Sequence, residues 1–226
     1  MIKKFLKIDP NFKVTITIFN KLKINYWICQ GTLLGIVRDQ SLIPWDPDID
    51  LAVMDKQFNK DLIEKIMKKN GFSKKKKFFK FDNLMTFQKR GGRDVDINYY
   101  KLNNRRNLVQ TEWYLPKNII MRFVEVLSFS KRYNGRGKLI IRCLSCLEPL
   151  FKVIKKILIK KGMFYKKGGY SHPRRFIDKF KQIKFFDLNI IVPFFYLEYL
   201  KYTYGKSWRK PKKNYSWVKD SPSTRI

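Results

Sequence analysis

Residues 48–53 read Asp-Ile-Asp-Leu-Ala-Val, two carboxylates spaced by two in an otherwise apolar run. A β-strand has a side-chain period of two, so a strand here carries Asp48 and Asp50 on one face. Two carboxylates a few ångströms apart repel each other unless a cation or a proton lies between them. A small hard cation such as Mg²⁺ takes oxygen ligands, typically one or two carboxylates plus substrate phosphates. The simplest chemistry for this pattern is metal-assisted transfer of a phosphorus-containing group.

The chain of 226 residues is 44% hydrophobic, enough for a normal core and incompatible with a disordered protein. Lysine and arginine number 50 against 18 acidic residues, a net charge of +32. Such a charge attracts anions: nucleic acid, an acidic membrane surface or a phosphorylated substrate. The lysines are also spread along the whole chain, which reads equally well as general composition. Cys29 sits in an apolar run and is expected to be buried. Cys143 and Cys146 form a lone Cys-x-x-Cys without a second ligand pair, and helical periodicity assigns them to core packing. With no disulfide framework, a reducing cytoplasmic setting is expected. The first residues begin like a signal peptide, but Lys7 and Asp9 break the apolar part and no small-residue cleavage site follows. No stretch of eighteen or more uncharged apolar residues predicts a membrane span.

Apolar spacing predicts a helix over 12–22, a strand over 23–30 and a short helix over 33–38, with Gly31-Thr32 at the bend between them. A strand follows at 49–53. An amphipathic helix follows at 58–69, with Leu62, Ile63, Ile66 and Met67 inward and Gly71 as its stop. After a basic loop at 74–77 come strands at 84–88 and 94–100, joined by a turn in which Gly91 and Gly92 supply positive φ. Asp94 and Asp96 share one face of the second strand, and Val95, Ile97 and Tyr99 the other. Residues 139–161 read as helix, kinked or divided by Pro149, and residues 194–204 as another, stopped by Gly205. The expected architecture is α+β, a mixed sheet flanked by helices, with a core domain over 1–105 and a mainly helical region over 106–226.

Several stretches together resemble the LicD/fukutin family. They are Gly31-Thr32-Leu33-Leu34-Gly35, Arg38, and Ile43-Pro44-Trp45-Asp46-Pro47-Asp48-Ile49-Asp50. Pro47 departs from the acidic residue common at that place in the family. Val95-Asp96-Ile97 is similar to the family's third-carboxylate strand. Val192-Pro193, Tyr199-Leu200, Tyr204-Gly205, Trp208 and Pro211 are similar to its C-terminal motif. The resemblance is strongest over about 24–100 and 184–211 and weak between. It implies a nucleotidyltransferase-like fold. It also implies transfer of a substituted phosphate, such as phosphocholine or ribitol phosphate, from a CDP-linked donor to a sugar or polyol hydroxyl. The acceptor it implies is a glycan, teichoic-acid-like polymer or lipopolysaccharide.

The residues admit matching roles. Gly31, Thr32 and neighbouring amides at a helix N-terminus would hold donor phosphates. Asp48 and Asp50 would hold Mg²⁺ (or Mn²⁺). Asp96 would complete the metal site or accept the proton of the attacking hydroxyl. Asp46 is a neighbouring group or second base, and Asp94 exchanges roles with Asp96 on spacing alone. Arg38 would pair with a phosphate through its bidentate fork. Trp45 suits a packed loop aromatic or a base-stacking platform, and His172, the only histidine, a structural loop residue or an acceptor contact. An Asp-x-Asp glycosyltransferase is the alternative enzyme. No recognised motif supports specific nucleic-acid binding, although Lys74 to Lys77 lie near Phe78, Phe79 and Phe81. The helix around 144–158, with lysines opposite its apolar side, suits peripheral contact with an anionic membrane at its inner face. It suits packing on the protein's own core as well.

Overall fold

The computed structural model describes residues 8–55, 59–75, 84–133, 135 and 137–225. Phe58, Lys76, Lys77, Phe78, Phe79 and Phe81 lie outside them. In chain order the elements begin with α1 (Pro10–Lys21), β1 (Trp27–Ile28), α2 (Gln30–Asp39), β2 (Asp48–Met54) and α3 (Lys60–Lys69). Then come β3 (Ser73–Lys74), β4 (Leu84–Gln88), β5 (Asp94–Asn103), β6 (Leu108–Gln110) and β7 (Trp113–Pro116). Helices α4 (Ile119–Leu127), α5 (Lys138–Cys143) and α6 (Glu148–Lys160) follow. The chain closes with β8 (Tyr165–Pro173), β9 (Phe180–Phe185), β10 (Leu188–Pro193), α7 (Tyr196–Tyr204), α8 (Trp217–Asp220) and β11 (Thr224–Arg225).

These form two compact units. One joins Met1–Lys75, Asn83–Glu112 and Gly169–Arg225, and the other is built on Trp113–Gly168. The units thus cut across a division at residue 105, and the segment after it contributes strands as well as helices.

In the first unit β2 lies parallel to β5 and antiparallel to β1, while β5 is also paired antiparallel with β4 and β6. The sheet is mixed, as the order of elements predicts. Ile49, Leu51, Ala52 and Val53 are fully buried, the pattern of a central strand covered on both faces. Val95, Ile97 and Tyr99 on β5 are equally buried. Asp9 caps α1 by accepting from the amides of Asn11 (2.9 Å) and Phe12 (3.2 Å), with Pro10 just inside the helix. Asn11 donates to the carbonyls of Lys89 and Arg93, both at 2.8 Å, and so ties the helix to the β4–β5 turn. Of the two turn glycines only Gly91 has positive φ (95°). Gly92 is required for another reason, since a Cβ there would sit 2.6 Å from Asn11 Cγ.

The strand expected over 23–30 shrinks to Trp27–Ile28, because Gln30, at φ 48°, already turns the chain into α2. On α3 the buried stripe is Ile63 and Met67, one turn apart, while Leu62 points outward at 50% exposure. The C-terminal motif is a packing motif: Val192, Tyr199, Leu200 and Trp208 are all buried. His172 lies in β8 rather than a loop and is fully buried. Its Nε2 is 3.0 Å from Thr203 Oγ1 and its ring stacks on Tyr199.

In the second unit β7 pairs antiparallel with the start of β8, from Trp113 opposite Gly168 to Pro116 opposite Tyr165. The predicted helix over 139–161 is divided by a 3₁₀ turn at Leu144–Leu147, and Pro149 sits in the first turn of α6, where its missing N–H costs nothing. Cys143 and Cys146 are exposed, not core residues, because they fall at this break.

Candidate active site

The candidate site is built on β2 and β5 of the first unit. Parallel register sets Asp48 opposite Asp94 and Asp50 opposite Asp96, so four carboxylates occupy one face of adjacent strands. Asp50 is buried at 8% exposure. Its backbone is fixed on both sides: its amide donates to Thr32 Oγ1 at 2.7 Å and its carbonyl accepts from the Cys29 amide at 3.3 Å. Asn98 Nδ2 donates to Asp50 Oδ1 at 3.3 Å.

Helix α2 begins beside this strand. The Leu33 amide donates to the Cys29 carbonyl, which leaves the amides of residues 30–32 without intrahelical acceptors, and no side chain caps them. Gly31 faces the carboxylates. A Cβ at that position would collide with Asp46 Oδ2 and come within 3.8 Å of Asp50 Oδ2. Glycine here keeps open a space lined by acidic oxygens and the positive end of a helix.

The electrostatics are those of carboxylates short of a countercharge. Burial, then a hydrogen bond with Asp46 and the charges of Asp46 and Asp94, push Asp48 up to about 7. Burial and the charges of Asp48, Asp96 and Asp46 hold Asp50 well above the usual carboxylate range. Burial raises Asp46 as well. Carboxylates so placed repel each other unless a proton or a cation lies between them. Burial, followed by Asp50, Asp96 and Asp48, also raises the Cys29 thiol, which keeps it neutral and unreactive.

The site residues separate into those the structure brings together and those it does not. Asp46, Asp48, Asp50 and Gly31 converge. Asp96 accepts a hydrogen bond from Thr86 on β4, its direct cross-strand neighbour. Asp94 is ion-paired with Lys75. Thr32, 2% exposed, positions Asp50 instead of facing a ligand. Arg38 stands on the last turn of α2, and its fork is closed on Asp39 at 2.7 and 2.6 Å rather than open to a phosphate. Trp45 is 41% exposed, with Lys213 Nζ 5.7 Å from its ring centroid, so it is not a packed loop aromatic.

Asn98, Thr86 and Lys75 escape a reading of motifs. Asn98 was within reach of the period of two that links Asp94 and Asp96. Thr86 was within reach of the hairpin register, since it pairs directly with Asp96.

Among the described residues no three His, Cys, Asp or Glu side chains already enclose a common point as a metal cage. Mg²⁺ needs no such cage, because one or two carboxylates hold it together with substrate phosphates. The buried Asp50 and the half-buried Asp48, beside a glycine without a side chain, are a donor set that fits such an ion.

Comparison with known proteins places the chain in a family. The family model described as LicD/FKTN/FKRP, nucleotidyltransferase domain, matches residues 23–140. The chain is 23% identical over 204 residues to the ribitol-5-phosphate transferase FKTN of Homo sapiens, covering 90% of this chain and 33% of that protein. An uncharacterized protein of Rickettsia prowazekii is 46% identical over 52 residues, 23% of this chain and 20% of that protein. The chain thus spans about a third of the length of the transferases it matches. The lincomycin-bound crystal structure of the lincosamide antibiotic adenylyltransferase LnuA aligns with a TM-score of 0.42 at 12% identity, covering 82% of this chain and 80% of that one. The family model matches more than half of the chain, and the chain therefore belongs to the LicD/FKTN/FKRP nucleotidyltransferase-domain family.

Proposed function

We propose that this chain transfers a substituted phosphate from a CDP-linked donor to a hydroxyl of a glycan or surface polymer, teichoic-acid-like or lipopolysaccharide. Mg²⁺ or Mn²⁺ serves as cofactor. One observation carries the reading: Asp48 and Asp50 lie in parallel register with Asp94 and Asp96, beside a helix N-terminus from which Gly31 removes the side chain. The names of the FKTN relatives, ribitol-5-phosphate transferases, support the class of group transferred.

Asp48 and Asp50 are the residues to hold the metal. Bound there, the ion neutralises the donor diphosphate and the departing CMP. The first-turn amides of α2 receive donor phosphate oxygens, an arrangement that helix N-termini favour. Asp96, oriented by Thr86, takes the proton of the acceptor hydroxyl. The acceptor oxygen forms the new bond to the phosphorus that carries the substituent. The anhydride P–O bond breaks, and CMP leaves with the bonding electron pair. Asn98 and Thr32 hold Asp50 in place and take no part in bond making.

The test is a donor panel of CDP-choline, CDP-ribitol, CDP-glycerol and CDP-ethanolamine with Mg²⁺, with and without candidate glycans. CMP release from a CDP-alcohol is the expected result. UDP release from UDP-sugars, with no CMP from any CDP-alcohol, would overturn the proposal in favour of sugar transfer.

A further inference from the structure

The second unit breaks the rule that aliphatic side chains go inside. On α4, Ile119, Ile120 and Phe123 share one face and are 66%, 62% and 58% exposed. On α5, Leu139 and Ile140 are exposed at 73% and 71%. On α6, Leu150, Val153 and Ile157 follow steps of three and four and are about half exposed, at 56%, 56% and 48%. The neighbouring side of α6 is turned inward, with Phe151, Ile154 and Leu158 partly covered.

Charge supplies the second observation. Residues 113–168 contain fourteen lysines and arginines against two glutamates, a net charge of +12. Both glutamates are buried and already engaged. Glu125 is paired with Lys155 at 2.8 Å. Glu148 is paired with Lys152 at 2.6 Å and accepts from the Lys131 amide and Ser130 Oγ. No acidic side chain of this segment is therefore left to face an approaching anion. Lys156 and Lys160 are exposed and stand beside the Leu150–Val153–Ile157 stripe, the arrangement of amphipathic helices whose long cationic stems reach to lipid headgroups. No helix among the described residues is long and apolar enough to cross a membrane.

We infer that the surface formed by α4, α5 and α6 docks on an anionic lipid bilayer. The exposed aliphatics enter the interface, and the surrounding lysines and arginines pair with headgroup phosphates. A polybasic surface without aliphatics would serve a polyanion such as nucleic acid. An apolar surface without the charge would serve a protein groove. The combination, with every carboxylate of the segment buried, matches the chemistry of an acidic membrane surface. This docking does not depend on the transfer reaction, and its test reads no turnover.

The test is co-sedimentation of the full chain with vesicles at physiological ionic strength. One set is phosphatidylcholine alone, the other phosphatidylcholine mixed with phosphatidylglycerol. Binding to the mixed vesicles and little to the neutral ones is expected. Two triple variants, I119Q/I120Q/F123Q and L150Q/V153Q/I157Q, keep the net charge and the helix propensity and touch only exposed positions. Each is expected to weaken binding by about tenfold or more with an unchanged circular dichroism spectrum. Undiminished binding of the glutamine variants would assign it to bulk charge and overturn the proposal, as would equal binding to neutral vesicles. A chain that ignores vesicles but self-associates, and becomes monomeric in the variants, would overturn it in favour of a second copy.

Discussion

The two units treat unfavourable groups in opposite ways. In the first, four carboxylates share one face of adjacent strands, with Asp50 buried, while Ile49, Leu51, Val53, Val95 and Ile97 are fully covered. In the second, aliphatic residues are left in solvent while Glu125 and Glu148 are buried against lysines. The first arrangement suits a cation and the second an apolar surface that carries anionic charge, the ligands proposed for them.

The comparison breaks most sharply at Asp50. Asp50→Asn and Asp48→Asn are expected to lower turnover by about a thousandfold, since losing even one well-placed electrostatic contact costs on the order of 10²–10³. Without divalent ions, Asp50→Asn should melt no lower than the wild type. Burial and three neighbouring carboxylates oppose ionisation there, and asparagine removes the charge they oppose. A large loss of thermal stability in that variant would mean that the carboxylate serves the fold rather than a ligand.

Gly31→Ala comes next. The added methyl meets Asp46 Oδ2, so a loss of about a hundredfold in kcat/KM is expected, in line with the cost of a small misplacement of catalytic groups. Melting should change little, because Asp46 lies in a turn and can move aside. Wild-type kinetics for this variant would remove Gly31 from the site.

In the second unit the burial of glutamate can be probed on its own. Glu125→Gln removes the charge paired with Lys155 and is expected to cost about 1.5–3 kcal/mol, the range for hydrogen bonds to charged groups. Hydrogen exchange should quicken in α4 and α6 and leave β2 and β5 unchanged. Equal acceleration in both places would show that the two units open as one.

The acid-pair strand, the hairpin, α1, α3 and α7 were legible because each rests on local spacing: a period of two, a period of 3.6, or a glycine stop. The expectation that Asp48, Asp50 and Gly31 belong to a site rests on the same kind of local spacing. The pairing of Asp94 with Lys75 was not, since it depends on where β3 lies beside β4. Arg38 misled because a guanidinium near a phosphate-type motif looks available until its neighbour Asp39 is seen to fill the fork. The helices over 138–160 were found, but an amphipathic pattern states only that a helix has two sides. It does not state which side the rest of the unit covers, and so the exposure of Leu150 and Val153 appears only in three dimensions. The return of 169–225 to the first unit, through β8 and the buried Tyr199 and Trp208, is a long-range contact that local periodicity does not encode.

A further expectation concerns the pH dependence of His172. Burial lowers its pKa to about 3, against an ordinary value of about 6.5 in the unfolded chain. The folded state keeps the ring neutral, so its contribution is fully present above about pH 6.5 and is lost as pH falls toward 3. Melting temperature should fall over that window and fall less steeply in His172→Gln. Parallel slopes for the two proteins would mean that His172 does not titrate on unfolding.

The most direct test of the metal assignment is Mn²⁺ binding followed by electron paramagnetic resonance, with cytidine diphosphate standing for the donor diphosphate. The wild type is expected to bind Mn²⁺ more tightly when the diphosphate is present, and the double variant D48N/D50N to bind about a hundredfold more weakly. Equal Mn²⁺ affinity in the two proteins would contradict the account.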